Sequence, residues 1–274
     1  MDPIEVAELP LSLPEVDPEQ PSVARIYDYW LGGSQNFAAD REVARRTAQA
    51  LPHLPAAAWA NRAFLRRVVR HLVAELGVTQ LLDLGSGVPT VGNVHEVAAA
   101  ANPEARTVYV DIDPVAVAHA RALLADTPTA QAILADLRRP ETVLAHPLLR
   151  ETLDFSRPVA VLMFAVLHFV AEDAEAGAIV DGFMDAAAPG SYLALSHGAP
   201  DRADPGTQQE AARAYAQRTG VPYVSRTPER IAAWLTGLHI QPPGLVPIDE
   251  WHPEPGAEAR HATLYHYGVL ARRP

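Results

Sequence analysis

A short apolar segment runs directly into a glycine turn at Leu81-Leu82-Asp83-Leu84-Gly85-Ser86-Gly87-Val88-Pro89-Thr90. The leucine-rich run is typical of a buried strand, and the two glycines permit positive φ and close approach of a ligand to the backbone. Helical periodicity follows the turn. This order predicts an open α/β sheet with a ligand site at the carboxyl end of its first strand.

The same alternation of strand and helix continues along the chain. Further strands are predicted at residues 107–110, 130–134, 159–164, 192–195 and 263–271. Helices are predicted at 23–31, 37–50 and 56–76 before the first strand, at 91–101, 114–125 and 172–187 between strands, and at 208–218 and 228–235 after them. Five strands that alternate with helices predict a doubly wound, mostly parallel α/β sheet.

Composition excludes several kinds of chemistry. The chain has 274 residues and no cysteine, and all 22 of its basic residues are arginine. Thiolate metal sites, cysteine nucleophiles, Schiff-base lysines and the phosphate-loop lysine are therefore excluded. The net charge of −11 disfavours binding to nucleic acid and to anionic membranes. No membrane-length apolar run or secretory signal is present, so we expect a cytoplasmic location.

The chain divides into three predicted parts. Residues 1–20 are acidic and rich in proline, which predicts a flexible arm or a strap over the domain. Residues 21–76 form a predicted helical cap, and residues 77–274 form the predicted α/β core. Aromatic residues surround a glycine pair in the cap and predict a lid over the site; they are Tyr27, Tyr29, Trp30 and Phe37. The alternative is a packing helix whose aromatic side chains enter the core.

Aspartates follow three successive predicted strands, and their placement favours one kind of ligand. Asp83 ends the first strand, Asp111 follows the second at 24 residues after Gly87, and Asp136 follows the third. An acid about 20 residues after the glycines is typical of a ribose ligand. Thr90 replaces the third glycine of a dinucleotide site. Asp83 also suits a positively charged ligand better than a pyrophosphate. Each acid alone could instead be a solvated loop residue.

With these features, the chain resembles the class I S-adenosylmethionine-dependent methyltransferases. More narrowly, it resembles the actinobacterial S-adenosyl methyltransferase family, formerly a domain of unknown function. Four blocks carry the resemblance: ARIYDYWLGGSQNFAADR at residues 24–41, ANRAFL at 60–65, LDLGSGVPT with NVHEV at 82–97, and VDIDP at 110–114. The resemblance implies a seven-stranded Rossmann-like sheet of the class I methyltransferase type, with S-adenosylmethionine as cofactor.

The resemblance also implies roles for particular residues. Asp83 and the turn Gly85-Ser86-Gly87 would line the methionine end, Asp111 would hold the ribose hydroxyls, and Asp136 with Leu137 would meet the adenine. Residues 165–168 would border the transferred methyl group. The implied cofactor set is completed by Ile112 and Ala165 from the core and by Tyr27 and Arg62 from the cap.

Three further side chains are candidates for direct roles. His168 is the candidate general base, with His197 as a second candidate, and the alternative is a histidine packed beside the site. Arg25, like Arg62, could hold the carboxylate of the cofactor, and the alternative for each is a surface ion pair. His95 and Glu96 lack a second histidine four residues after His95, so no metal site is predicted.

Together these features predict an S-adenosylmethionine-dependent methyltransferase that acts on a small-molecule acceptor. Methyl transfer needs alignment more than catalytic side chains, so the sequence does not identify the acceptor. Two alternatives remain open at this stage. One is a protein that binds S-adenosylmethionine or S-adenosylhomocysteine without transferring a methyl group, and the other is an NAD(P)-dependent oxidoreductase.

Overall fold

The computed structural model describes residues 16–90, 92–201, 204–253 and 265–274. Most of the predicted acidic arm lies outside these residues, and the division of the chain into arm, cap and core stays a prediction. The described strands are β1 (Gln80–Leu84), β2 (Arg106–Asp111), β3 (Ala130–Leu134), β4 (Ala160–Phe164), β5 (Tyr192–Gly198), β6 (His239–Ile240), β7 (Val246–Pro247) and β8 (His266–Arg272).

These strands form one sheet in the order β3-β2-β1-β4-β5-β8-β6. Strands β1 to β5 are parallel, and β8 runs antiparallel to β5 and β6. The doubly wound, mostly parallel α/β fold is therefore confirmed. Seven strands lie along the continuous order, and the two-residue β7 pairs with β8 beside it. Strand β5 continues to Gly198, beyond the predicted end, because every residue from Tyr192 to Gly198 pairs with β8.

Helices precede the sheet and cover both of its faces. They are α1 (Val23–Trp30), α2 (Ala38–Ala50), α3 (Leu54–Arg70), α4 (Val94–Ala101), α5 (Pro114–Leu123), α6 (Pro140–Leu144), α7 (Pro147–Thr152), α8 (Asp173–Ala186), α9 (Pro205–Thr219) and α10 (Pro228–Ala232). A π-helical turn, His71–Glu75, extends α3, and 3₁₀ turns lie at Leu167–Phe169 and Ala233–Leu235. Among the described residues, no helix combines the length and apolar character needed to cross a membrane.

Local capping explains where several helices differ from the prediction. Helix α4 begins three residues later than predicted because Asn93 and Glu96 form a capping box, with the Asn93 amide donating to the Glu96 carboxylate at 2.8 Å. The short helices α6 and α7 were not predicted. Each begins with a proline, Pro140 or Pro147, which is a favoured first helical residue and is the signal that could have revealed them.

The core lies on both faces of the sheet, and α3 packs across the β8 side of one face. Phe64 of α3 is fully buried and makes edge contacts with Phe164 and Trp251 at centroid distances of 5.4 and 5.5 Å. Gly268 of β8 makes room for this ring, since a Cβ there would lie 2.4 Å from it. The cap is thereby seated on the sheet through aromatic packing as well as polar contacts.

A buried arginine joins the cap to the core. The Arg25 side chain donates to Asp40 at 2.8 Å, to Asp113 at 3.0 Å and to the Gln20 carbonyl at 2.6 Å. Asp40 belongs to α2, and Asp113 caps the start of α5 by accepting from the amides of Val115 and Ala116. All three charged side chains are at least nine-tenths buried. The bridge therefore ties two cap helices to the loop after β2.

We expect Arg25→Met to destabilise the protein by about 3–5 kcal/mol, because two buried carboxylates lose their partner. Urea unfolding at pH 7 measures this change. Arg45→Met is the matched control: Arg45 pairs with Glu42 on an exposed surface, so its loss costs about 0–1 kcal/mol. Equal, small changes in the two variants would show that the buried bridge contributes little.

Candidate active site

A cavity of about 250 Å³ opens at the carboxyl ends of β1, β2 and β4, beneath the cap. The order of the strands reverses at β1. The chain runs from β1 to β2 and β3 on one side of β1, and then returns to form β4 and β5 on the other side. Crevices at such a switch point are where open α/β sheets bind ligands. The cavity therefore lies where the first strand and its glycine turn predict a site.

The cavity brings together twelve of the residues that the sequence predicts for the site. They are Tyr27, Arg62, Asp83, Gly85, Ser86, Gly87, Asp111, Ile112, Asp136, Leu137, Ala165 and His168. They come from a cap helix pair and from the ends of four different strands. Their convergence is a finding of the structure, and their individual binding roles stay predictions.

Two buried aspartates dominate the electrostatics of the cavity. Asp83 is 3% exposed at the end of β1, and Asp111 is 7% exposed at the end of β2. Burial raises the pKa of Asp83 to about 7; the charge of Arg62 opposes this rise and that of Asp111 adds to it. Burial likewise raises the pKa of Asp111 to about 6, although backbone amides oppose it. A cationic ligand would favour the ionised form of both groups.

The glycine turn is shaped around Asp111. Gly87 has φ +66° and donates its amide to the Asp111 carboxylate at 2.7 Å, while the Asp113 amide donates to the other oxygen at 2.8 Å. A Cβ on Gly85, which has φ +70°, would lie 2.3 Å from the Val166 side chain. Glycine is thus required at Gly85 by sterics as well as by backbone conformation. Each Asp111 oxygen keeps a second lone pair for a ligand.

Asp136 stands at the far side of the cavity and is paired with an arginine. Arg138 donates to both of its carboxylate oxygens at 2.6–2.9 Å. Burial raises the pKa of Asp136, but the hydrogen bonds and charge of Arg138 outweigh this effect and hold the pKa below its ordinary value. Asp136 is therefore ionised at neutral pH, whereas Asp83, with its pKa of about 7, is partly protonated there.

A chain of hydrogen bonds connects the end of β4 to the cap. The Ala165 amide donates to the Ser196 hydroxyl at 2.9 Å, which donates to Asn61 at 2.6 Å. Asn61 donates to the Tyr27 hydroxyl at 3.0 Å, which donates to the Ala58 carbonyl at 3.0 Å. Ala165 has φ +51°, which is uncommon for a residue with a side chain and is often found at functional sites.

His168 lies in the 3₁₀ turn after β4 and is 4% exposed. Its Nδ1 atom is buried and has no hydrogen-bond partner among the described residues. Burial, with the neighbouring His197, His266 and Arg226, lowers the pKa of His168 well below its ordinary value. The imidazole is therefore neutral at pH 7.

Two predicted roles are wrong. Arg25 does not line the cavity, because Asp40 and Asp113 hold its side chain in the bridge described above. His197 does not line it either: its Nδ1 bonds the Gly198 carbonyl at 2.7 Å and its Nε2 faces the guanidinium of Arg226 at 3.3 Å. Both are packed inside the fold and cannot reach a ligand in the cavity.

The predicted aromatic lid is only partly present. Tyr27 and Trp30 line the cavity, whereas Tyr29 packs against the cap cluster around Ile26 and Phe37 lies against the Arg25 guanidinium at 4.9 Å. The two alternatives for the cap, ligand contact and core packing, are therefore both realised, by Tyr27, Tyr29 and Trp30 of α1 and by Phe37 before α2.

The sequence did not predict the part of the cavity lining that comes from α9, the loop after α9 and the α2–α3 turn. Helix α9 and the following loop contribute Gln208, Ala211, Ala212, Tyr215, Val221 and Tyr223, and the α2–α3 turn contributes Leu51 and Leu54. None of these residues is predicted from the sequence as part of the site. The apolar and aromatic residues of α9 at helical spacing were the available signal. Within the described residues, no group of three or more His, Asp or Glu is placed to hold a metal ion.

Comparison with known proteins agrees with this geometry. Residues 11–274 match the model of a family described as S-adenosyl methyltransferase. The chain belongs to this family. Its cofactor is accordingly S-adenosylmethionine, and the buried carboxyl pair, the open glycine turn and the absence of lysine in the chain fit a ligand with positive charge and no phosphate.

Two solved structures are similar over nearly their whole length. A candidate methyltransferase from Thermobifida fusca YX is 40% identical, with a TM-score of 0.87 over 93% of this chain and 96% of that one. A duf574 family protein from Streptomyces avermitilis is 38% identical, with a TM-score of 0.89 over 95% and 100%. Human N-acetylserotonin methyltransferase in complex with SAM shares the fold at 15% identity and a TM-score of 0.50, over 93% and 63%. No curated protein matches the chain.

We expect Asp83→Asn to raise the melting temperature of this family member at pH 8, in the absence of added cofactor, by a few degrees. The folded-state pKa of Asp83, about 7, lies above its unfolded value. The folded protein therefore holds an extra proton between about pH 4 and 7 and loses stability as the pH rises through this window. The neutral amide removes that loss. Thermal unfolding at pH 5 and pH 8 measures the effect.

The difference between variant and wild type should be smaller at pH 5 than at pH 8, because pH 5 lies near the lower end of the window in which Asp83 lowers the stability of the folded protein. Asp126→Asn, at an exposed position after α5, is the control and should not change the pH dependence. A lower melting temperature for Asp83→Asn at both pH values would show that Asp83 is ionised and well compensated in the folded protein.

Proposed function

We propose that this protein transfers the methyl group of S-adenosylmethionine to a small-molecule acceptor, with His168 as the proton acceptor. The single observation that carries the proposal is the shared cavity. It joins the predicted cofactor residues at the ends of β1, β2 and β3 to Ala165 and His168 at the end of β4, under the cap.

In this proposal, different residues of the cavity bind different parts of the cofactor. Asp111 holds the ribose hydroxyls, and Asp136 with Leu137 borders the adenine. Asp83 faces the ammonium group of the methionine part, and Arg62 faces its carboxylate. Arg62 is suited to this role because it is 8% exposed, lines the cavity and is held by a 2.8 Å bond to the Thr90 hydroxyl. The acids of the described lining are Asp83, Asp111 and Asp136, and the charge of Arg62 acts on Asp83.

The chain's own residues then have three tasks. When bound, the cofactor supplies a methyl group already activated by the sulfonium, so alignment provides most of the rate. The cap helices exclude water, and the bonded set Ala165, Ser196 and Asn61 holds the end of β4 in one conformation. His168 is neutral at pH 7 and buried beside the acceptor space, so it can take a proton from an acceptor hydroxyl.

Calorimetric titration with S-adenosylmethionine, S-adenosylhomocysteine and NAD⁺, followed by an assay for S-adenosylhomocysteine release, tests the proposal. We expect both adenosyl ligands to bind, NAD⁺ not to bind, and product to accumulate with an accepted substrate. Binding without product across an acceptor panel would favour a cofactor-binding protein without transfer activity. Binding of NAD⁺ alone would favour an oxidoreductase.

The affinity for S-adenosylmethionine should fall by about five- to tenfold between pH 7.5 and pH 6, because Asp83 must lose its proton to face a cation. Calorimetry in buffers of different ionisation enthalpy should show proton release on binding at pH 6.5. In Asp83→Asn the affinity should be weaker and nearly independent of pH. An unchanged pH dependence in this variant would remove Asp83 from the cofactor site.

His168→Gln should lower kcat by about 100-fold or more while leaving the affinity for S-adenosylmethionine within about twofold, since a general base contributes on this scale. His119→Gln on α5, outside the cavity, is the matched control and should leave both quantities unchanged. Steady-state kinetics with the accepted substrate gives the comparison. A His168→Gln enzyme with full kcat would assign His168 a packing role.

A further inference from the structure

The two ends of the cavity differ in charge. The charged side chains in its described lining are Arg62, Asp83, Asp111, Asp136 and Arg138, and four of these five lie at the ends of β1, β2 and β3. The wall on the β4 and β5 side comes from α1, α2, the start of α3, the 3₁₀ turn after β4, α9 and the loop to Tyr223. Its described lining contains no aspartate, glutamate, lysine or arginine.

Aromatic rings form much of this second wall. Phe169 and Tyr215 lie nearly parallel, with an interplanar angle of 17° and ring centroids 6.4 Å apart. Tyr223 lies 4.7 Å from the His168 ring, and Trp30 contributes from the cap. Aliphatic side chains from the α2–α3 turn and small alanines of α9 complete the wall. This surface offers ring faces and methyl groups rather than ionic partners.

Most polar side chains in the wall are already satisfied by the protein. The Gln208 amide accepts from the Asp201 backbone at 2.8 Å and donates to the Ala199 carbonyl at 3.0 Å. The Thr47 hydroxyl donates to the Val43 carbonyl, and the Trp30 indole donates to the Ala44 carbonyl. In contrast, His168 has a buried Nδ1 without a partner among the described residues. His168 nevertheless lines the cavity, so its ring borders the ligand space.

Burial keeps Tyr215, Tyr223 and His168 of this wall uncharged at neutral pH. Burial raises the pKa of Tyr223 to about 12 and raises that of Tyr215 further, so both hydroxyls keep their protons. Burial also keeps His168 neutral. The guanidinium of Arg226 is near His168 but outside the cavity lining, and it is engaged by Asp173 and by the carbonyls of Leu167 and Val170. It offers no free charge to a ligand.

We infer that the methyl acceptor is an uncharged aromatic molecule with a hydroxyl group directed at His168, and that the enzyme discriminates against charged analogues. This inference rests on the proposed function. A carboxylate or ammonium group would lose its hydration in this wall without gaining an ionic partner, which is costly. In the reaction, the acceptor oxygen bonds to the methyl carbon while the carbon–sulfur bond breaks with its electron pair on sulfur. The hydroxyl proton passes to His168 and then to water.

Calorimetry on the protein saturated with S-adenosylhomocysteine tests the inference with matched pairs of probes. The pairs are 2-naphthol with 6-hydroxy-2-naphthoate, and 4-methylphenol with 4-hydroxybenzoate. Each pair keeps the ring system and the hydroxyl and differs by one carboxylate. We expect the neutral member of at least one pair to bind at least about tenfold more tightly than its carboxylate, since tenfold corresponds to only 1.4 kcal/mol.

Two variants on α9 test whether this wall causes the preference for neutral over carboxylate probes. Ala212 lines the cavity, and Ala214 lies exposed on the same helix outside it. Ala212→Arg should weaken binding of the neutral probe at least about tenfold and bring the carboxylate probe to equal or tighter binding. Ala214→Arg should change neither. Affinity for S-adenosylhomocysteine should stay within about twofold in both variants, which shows that the fold and the cofactor end are intact.

The outcomes separate this inference from the proposed function. Tighter binding of the carboxylates, or no binding of any probe to the protein with bound S-adenosylhomocysteine, would overturn the inferred acceptor class. An unchanged preference in Ala212→Arg would place the acceptor away from α9 and overturn the assignment of this wall. Failure of S-adenosylhomocysteine itself to bind would count against the proposed function, and the inferred acceptor class would fall with it.

Discussion

Two carboxyl groups buried at adjacent strand ends are the constraint around which the site is built. The parallel pairing of β1 with β2 brings Asp83 and Asp111 to one edge of the sheet, where burial raises the pKa of both. The protein compensates only partly, with two backbone amides for Asp111 and the nearby charge of Arg62 for Asp83. The remaining imbalance favours a cationic ligand, and S-adenosylmethionine carries the required charge.

The cap is attached to this edge through two separate polar networks. The Arg25 bridge ties α1 and α2 to Asp113, two residues after Asp111. The bonds from Ala165 through Ser196 and Asn61 to Tyr27 tie α1 and α3 to the end of β4. The charged side chains of the Arg25 bridge are buried and the second network is at least partly buried, so their bonds are less screened by water than surface bonds are. The roof of the cavity is thus positioned from both of its sides, and the unusual backbone of Ala165 is held by contacts from outside its own strand.

Local patterns predicted the elements best where one local cause dominates. Continuous apolar runs, which glycine closes after β1 but not after β4, predict both strands correctly, because burial on both faces demands continuous apolar residues. Helices α6 and α7 escaped prediction because their turns are short and their proline starts compete with the general use of proline in loops. The π-helical turn at His71–Glu75 follows helix α3 without a local sequence signal, so the predicted helix 56–76 is interrupted there.

The sequence by itself determined the α/β fold, the family and twelve of the residues that line the cavity, because these depend on short motifs and on local periodicity. Tertiary structure decided between residues that look alike in sequence. Arg62 lines the cavity while Arg25 is held by Asp113, 88 residues away. His168 faces the cavity wall while His197 is bonded to Gly198 and Arg226. The neutral aromatic wall likewise forms only when α9 folds against the cap. Which of two similar residues lines the cavity depends on contacts with residues far away in the chain. Local sequence patterns do not show which of these distant residues will make contact.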